Sequence, residues 1–130
     1  MDTMLLDLDN WDLTIDAAGN WAVASAPYAL AQDVASEVKT FQVQDGPTDP
    51  VEGECWYDTT IGIPYFAEIL GHSPPVTLYQ EYNVQAALRV PGVASNPPPQ
   101  LDVTGFTNRG IQGNLTFTDT EGNQQTVQIQ

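Results

Sequence analysis

The sequence predicts an α+β fold with an N-terminal β-hairpin, two main helices and a C-terminal antiparallel sheet or hairpin. Apolar residues recur at every second position near both ends of the chain, and they recur at helical spacing in two central stretches. Strands and helices do not alternate as they would in a parallel sheet. The chain has 130 residues, of which 42% are hydrophobic, so we expect one domain over 1–130 with an ordinary core.

The N-terminal hairpin is predicted from alternation on both sides of a Gly-Asn turn at 17–20. The alternating apolar residues are Trp11, Leu13, Ile15, Trp21 and Val23. A period-two pattern of this kind predicts two antiparallel strands with these side chains on one buried face. The apolar residues before Asn10 alternate with the opposite parity, and a bend or bulge near Asn10 would reconcile the two runs.

Two helices are predicted from apolar spacing, one over 27–42 and one from Ser73 to about Val90. The expected buried stripes are Leu30, Val34, Val38 and Phe41 on the first helix and Leu78, Tyr82 and Ala86 on the second. Gln32 falls on the polar face of the first helix. Ser73, which precedes a proline, suits an N-cap, and Gly71 suits the left-handed end of a short helical turn.

Period-two alternation returns after a proline-rich connector at 96–99, with a turn at 119–123 between the last two strands. The side chains expected to face the core are Leu101, Val103, Leu115, Phe117, Val127 and Ile129. The residues expected at a protein interface are Thr116, Thr118, Thr126, Gln128 and Gln130. Neither of the last two strands contains a proline or lysine that would block an added strand, and we expect one of Thr126 and Gln128 to point its N–H outward.

Charge excludes several classes of partner. Seventeen acidic residues face only Lys39, Arg89 and Arg109, which gives a formal net charge of −14. Three cations cannot neutralise a nucleic-acid backbone, and an anionic membrane would repel the chain, so we expect neither as a partner. The acidity either keeps the protein soluble or directs it to a basic surface. With no signal peptide and no long apolar run, synthesis and folding in a cytosol are expected.

Candidate chemistry is sparse. Glu54 and Asp58 lie four residues apart beside aromatic residues, and paired carboxylates are the machinery of glycoside hydrolysis. Such pairs are also common by chance in an acidic chain. Cys55 is the single cysteine and His72 the single histidine, which excludes an intrachain disulfide and a thiol-rich zinc site. The aspartates at 7–12 lack the glycine and glutamate of a calcium loop. We predict no catalytic residue, no cofactor and no metal.

The segment from Gly53 to Phe66 carries a resemblance to a known family. It reads Gly-Glu-Cys-Trp-Tyr-Asp-Thr-Thr-Ile-Gly-Ile-Pro-Tyr-Phe and follows a helix that ends near Thr40. Over roughly residues 11–130 the chain resembles the gene-25-like baseplate wedge family of contractile phage tails, including its relatives in Mu-like phages. The family-motif residues are Gly53, Glu54, Trp56, Asp58, Gly62 and Pro64. The sequence departs from the family at Cys55, where an arginine is usual, and in the insertion Val43–Glu52.

The resemblance implies a structural role in the virion. A wedge protein of this family joins the central tube region of the tail baseplate to the first sheath ring, by helix packing and strand addition. The implied partners are other baseplate wedge proteins and the tail sheath protein, in six-fold arrays assembled in the host cytoplasm. Two other functions stay open at this point. Family members were once thought to be lysozymes, so one is a peptidoglycan hydrolase using Glu54 and Asp58. The other is an acidic adaptor outside phages.

Overall fold

The computed structural model describes residues 2–7, 9–43, 58, 60–69, 71–107 and 110–129. Its elements in chain order are β1 (Thr3–Met4), β2 (Val23–Ala24), α1 (Tyr28–Lys39), a single π-helical turn (Tyr65–Ile69), α2 (Val76–Arg89), β3 (Gln100–Thr107), β4 (Gly110–Thr118) and β5 (Gln124–Ile129). An N-terminal two-stranded sheet, two helices and a three-stranded C-terminal sheet confirm the α+β class. Neither described helix is long and apolar enough to cross a bilayer.

Helix α1 begins directly after Pro27, which occupies the N-cap position, and ends before Thr40. Val34 and Val38 are almost fully buried, and Leu30 packs against the core from a half-buried position. The predicted stripe is therefore confirmed at Val34 and Val38, but Phe41 lies past the end of α1 and is half-buried. The assignment of Gln32 to the polar face is wrong, because its side chain is only 8% exposed.

Helix α2 differs from its prediction in its start and its facing. It begins at Val76 after Pro75, without a side-chain cap. Ser73 is not the N-cap; it adopts a positive φ of 46°. Ala86 is buried as predicted, but Leu78 and Tyr82 are only half-buried. The other buried residues of this face are Tyr79, Asn83, Ala87 and Val90. Tyr82 stays at the boundary because its hydroxyl donates a hydrogen bond to the Glu68 carboxylate, which keeps the ring end near water.

The C-terminal sheet is an antiparallel meander in the order β3–β4–β5. Leu115 on the central strand pairs with Leu101 on β3 and with Val127 on β5, so one apolar row crosses the sheet. The predicted inward residues Leu101, Leu115, Phe117, Val127 and Ile129 are all buried, and Val103 is half-buried against them. The inner face of the sheet packs with α1 and α2 in one apolar cluster.

The N-terminal region is a closed arrangement of three short segments, around residues 3–6, 13–15 and 21–24, rather than a simple hairpin. Leu5 donates its N–H to the Ala22 carbonyl, Ala22 donates to Thr14, and Thr14 donates back to Leu5, at 2.9, 2.9 and 3.3 Å. Each segment therefore pairs with both others, and we call this arrangement the N-terminal unit. The predicted bend near Asn10 is confirmed as a turn, followed by Trp11 at a φ of 59°.

The predicted buried face of the hairpin is wrong. Trp11, Leu13, Ile15, Trp21 and Val23 are between 36% and 65% exposed. The unit is held to the rest of the protein by hydrogen bonds instead. The Gln32 side-chain amide accepts from the Leu6 N–H at 2.9 Å and donates to the Met4 carbonyl at 2.6 Å, as a neighbouring strand would. Because these bonds fix the backbone, the apolar side chains face outward.

We predict that Gln32→Glu detaches the N-terminal unit from α1. Glutamate retains the acceptor for Leu6 but cannot donate to the Met4 carbonyl, and it places a charge at a nearly buried position. The expected loss of unfolding free energy is about 1–3 kcal/mol. Urea denaturation measures it, and hydrogen exchange at the Leu6 amide should accelerate. The control Gln85→Glu, on the exposed face of α2, should leave both unchanged within about 0.5 kcal/mol.

Candidate functional site

The last part of the family motif is held by a three-way clamp between α1, α2 and the Gly62 backbone. Glu37 on α1 accepts from the Arg89 Nε at 2.9 Å and from the Gly62 N–H at 3.0 Å. Arg89 on α2 also donates to the Gly62 carbonyl at 2.6 Å. The side chain of Glu37 is only 16% exposed, so these charge-assisted bonds form in a partly dehydrated setting. The clamp fixes the two helices and the motif loop relative to one another.

Gly62 is required where it stands by its backbone conformation and by lack of space. Its φ is +91°, and a Cβ there would lie 2.6 Å from the Thr40 carbonyl oxygen and 2.9 Å from the Gln42 nitrogen. The close approach lets Ile63 exchange backbone hydrogen bonds with Thr40 and Gln42, at 3.0 Å each. The motif loop thus continues the backbone that leaves α1.

Pro64 and Tyr65 complete this junction. Pro64 is buried, and its carbonyl accepts the Glu68 N–H at 3.1 Å, which starts the π-helical turn. The Tyr65 hydroxyl donates to the carbonyl of Val38, and burial raises the pKa of this phenol well above its usual range. The residues of this region that the structure describes therefore act as packing and hydrogen-bonding elements. Gly53, Glu54 and Trp56 lie outside the described residues.

Asp58, the described member of the predicted carboxylate pair, is half-buried. Its Oδ1 accepts the Thr60 N–H at 3.0 Å and the Thr60 hydroxyl at 2.6 Å, and these bonds lower the pKa of the carboxyl. Such an acid is held in its ionised form. Within the described ranges, no group of three or more His, Cys, Asp or Glu is arranged to hold a metal.

The predicted interface residues of β4 and β5 lie together on the outer face of the sheet. Thr116 pairs with Thr126, and their hydroxyl oxygens are 3.3 Å apart. Thr116 and Thr118 are half-buried, whereas Thr126 and Gln128 are exposed. Gln130 lies outside the described residues. The predicted separation of this face from the buried one is therefore confirmed, and its role as an interface stays a prediction.

The backbone of Thr126 and Gln128 points away from β4. Asp119 donates its N–H to the Asn123 carbonyl at 2.9 Å, which makes this pair a hydrogen-bonded one. Hydrogen-bonded and non-hydrogen-bonded pairs alternate in an antiparallel ladder, so residues 124, 126 and 128 direct their N–H and C=O groups to the free side. The expectation that only one of Thr126 and Gln128 points outward is wrong, since residues two apart share one orientation.

The two edges of the sheet are treated differently. On β3, the Gln80 side-chain amide donates to the Leu101 carbonyl at 3.0 Å, and a register shift between Val103 and Gly105 interrupts the ladder. A covering side chain and a bulge are common ways to block an edge. In the described chain no strand pairs with the outer side of β5, and its exposed residues are polar but uncharged. The β5 edge is the open one.

A groove of about 480 Å³ runs along this open edge. Thr126, Val127 and Gln128 line it. Side chains of consecutive strand residues point to opposite faces of the sheet, so the groove follows the edge of β5 rather than one face. Its floor includes the small side chains of Ala31 and Ala35 on α1. The far wall comes from Trp11, Tyr28 and Lys39, with the Lys39 Nζ 4.0 Å from the Trp11 ring centroid.

Sequence reasoning missed the α1 side of this groove. Ala31, Ala35 and Lys39 are spaced by four, which puts them in one row along the helix. That spacing was the available signal, but alanine beside a strongly apolar stripe is ordinarily assigned to the core. Only the position of β5 beside this row makes it the wall of a groove.

Comparison with known proteins adds no relative: no protein-family model and no curated protein matches the chain.

We predict that Gly62→Ala is strongly destabilising. Alanine would have to adopt the positive φ of this position, which is unfavourable for any residue with a side chain. Its methyl group would also clash with the Thr40 carbonyl oxygen. The expected loss is about 2–5 kcal/mol in urea denaturation. Gly19→Ala is the matched control, since Gly19 has a similar φ of +84° but nothing within 4 Å of the added Cβ. It should lose about 1–2 kcal/mol. Equal losses at the two positions would show that the close approach at Gly62 is unimportant.

Proposed function

We propose that this protein is a structural component of a contractile phage tail baseplate, a wedge protein that attaches the tail sheath by strand addition. The observation that carries the proposal is the open β5 edge above its groove. An added strand would hydrogen-bond to the outward N–H and C=O groups of Thr126 and Gln128. This is the mode of attachment that the resemblance to the gene-25-like family implies.

The groove favours an extended segment with alternating side chains. Side chains of an added strand that point inward would lie over Ala31 and Ala35, which leave room for larger apolar groups. Those that point outward would continue the polar face of Thr126 and Gln128. A strand donated by another chain satisfies both conditions. A compact small molecule would contact only part of the edge and would not form a ladder of backbone hydrogen bonds with it.

The rest of the chain suits a rigid part of an assembly. The clamp of Glu37, Arg89 and Gly62 fixes the helices on which the groove depends. With a net charge of −14 the surface would repel nucleic acid and anionic membranes, which leaves proteins as partners. In this proposal the partners are the tail sheath protein and other wedge proteins, in six-fold arrays in the virion.

We predict that Gln128→Pro blocks sheath attachment while the protein stays folded. Proline removes the outward N–H of residue 128 and fills its place with a ring, but it leaves the ladder to β4 intact. Gln128→Ala is the matched control, because it removes the side chain and keeps the N–H. Co-purification with the sheath protein of the same tail should fall about tenfold or more with proline and stay near wild type with alanine. An assembled tail with no foreign strand beside β5 would contradict the proposal.

We also predict no peptidoglycan hydrolase activity. A glycosidase needs one carboxyl held protonated beside an ionised one. The lowered pKa of Asp58 suits it only for the ionised member, and both hydrogen bonds that lower this pKa come from the neighbouring Thr60. Purified protein should release no soluble fragments from peptidoglycan, and Glu54→Gln should behave as wild type in that assay. Fragment release that disappears in Glu54→Gln would favour an enzyme over a structural protein.

A further inference from the structure

The N-terminal unit presents an apolar face that no described element covers. Three directly opposed pairs build it: Met4 with Val23, Leu6 with Leu13, and Ile15 with Trp21. Opposed residues in an antiparallel pair share a face, and so do residues two apart in one segment. Leu6 is half-buried. The N-terminal apolar face is defined by the five exposed members, Met4, Leu13, Ile15, Trp21 and Val23.

The exposure of this face is large for side chains of this size. Val23 and Ile15 are 62% and 65% exposed, and Trp21 is 54% exposed. Single exposed apolar residues are ordinary on protein surfaces, but a contiguous group of them marks an interaction site. The burial of each such side chain against a partner removes apolar area from water, which favours association.

The outward direction of the face is built into the fold. The hydrogen-bonded ring of Leu5, Thr14 and Ala22 closes the unit, and Gln32 ties it to α1. Ala24, on the opposite side of β2 from Val23, is only 5% exposed. To turn the apolar face inward, the chain would have to break these hydrogen bonds and expose Ala24. The unit therefore holds the face ready for a partner.

Charge identifies the kind of partner. The chain has no lysine or arginine before Lys39, whereas the segment that forms the unit contains Asp2, Asp7, Asp9, Asp12 and Asp16. Two of these aspartates are fixed by the turns: Asp7 accepts from Asp9, and Asp16 accepts from Ala18 and Asn20. A second copy of the chain would bring the same five aspartates and a net charge of −14 to the contact.

We propose that the N-terminal apolar face docks on a different protein, on an apolar surface bordered by lysine and arginine. The apolar side chains supply the buried centre of the contact, and the aspartates pair with the basic border. None of the five defining residues lines the groove beside β5. The face is thus a second docking surface, and it does not depend on strand addition at β5.

The test uses two synthetic helical peptides with identical leucine faces, one bordered by lysine and the other by glutamate. Binding to the full chain is measured by titration calorimetry at low and high salt. The lysine-bordered peptide should bind at least about tenfold more tightly, and high salt should reduce the difference by screening. Ile15→Ser and Val23→Ser should each weaken its binding about tenfold or more. Gln85→Ser, which changes an exposed side chain of α2 outside both docking surfaces, should not.

Three results of this titration would overturn the proposal. These results are equal affinity for the two peptides, no binding of the lysine-bordered peptide, and binding that survives both serine substitutions. Sedimentation should show a monomer; a dimer abolished by Ile15→Ser would make a second copy the occupant. Flotation with phosphatidylcholine vesicles, if Ile15→Ser abolished it, would make the occupant a membrane. Circular dichroism checks folding, and if serine unfolds the unit, Val23→Thr gives the same comparison with a side chain of equal shape and high strand propensity.

Discussion

The contact on which the rest of the structure depends is the clamp of Arg89 on Glu37 and Gly62. One guanidinium joins the end of α2 to α1 and to the loop that follows α1, through bonds of 2.6 and 2.9 Å. The loop can approach so closely only because residue 62 has no side chain. With the helices fixed in this way, the row Ala31, Ala35 and Lys39 lies beside β5, and a groove forms along the edge of the sheet. The clamp therefore holds the helix that lines one side of the groove.

The sheet shows how one fold can block one edge and offer the other. At β3 a glutamine from α2 occupies the carbonyl of Leu101, and a bulge disturbs the ladder. At β5 neither device is present in the described chain, and threonine and glutamine face the open side. An open edge is an aggregation hazard unless something controls access to it. The high negative charge of the chain opposes pairing between identical copies.

The N-terminal unit is stabilised in a different way from the rest of the protein. Its cohesion comes from backbone hydrogen bonds arranged in a ring and from one buried glutamine, while its largest side chains face water. This inverts the usual relation between period-two alternation and burial. For this reason the alternating pattern correctly predicted extended, paired segments but wrongly predicted that Ile15, Trp21 and Val23 are buried. A pattern reports which residues share a face, but not what covers that face.

The sequence by itself determined the elements whose signal is local. Alternation identified the C-terminal strands and their inner rows, such as Leu115 and Val127, and helical spacing identified α1 with Val34 and Val38 buried. The tertiary structure alone decided the rest. Gln32 is buried where a backbone distant in sequence needs both a donor and an acceptor. On α2 the structure buries Tyr79 and Asn83, whereas Tyr82 is half-buried and hydrogen-bonds to Glu68. The open edge of β5 is likewise a tertiary fact, since which strand lies outermost depends on pairing between segments distant in sequence.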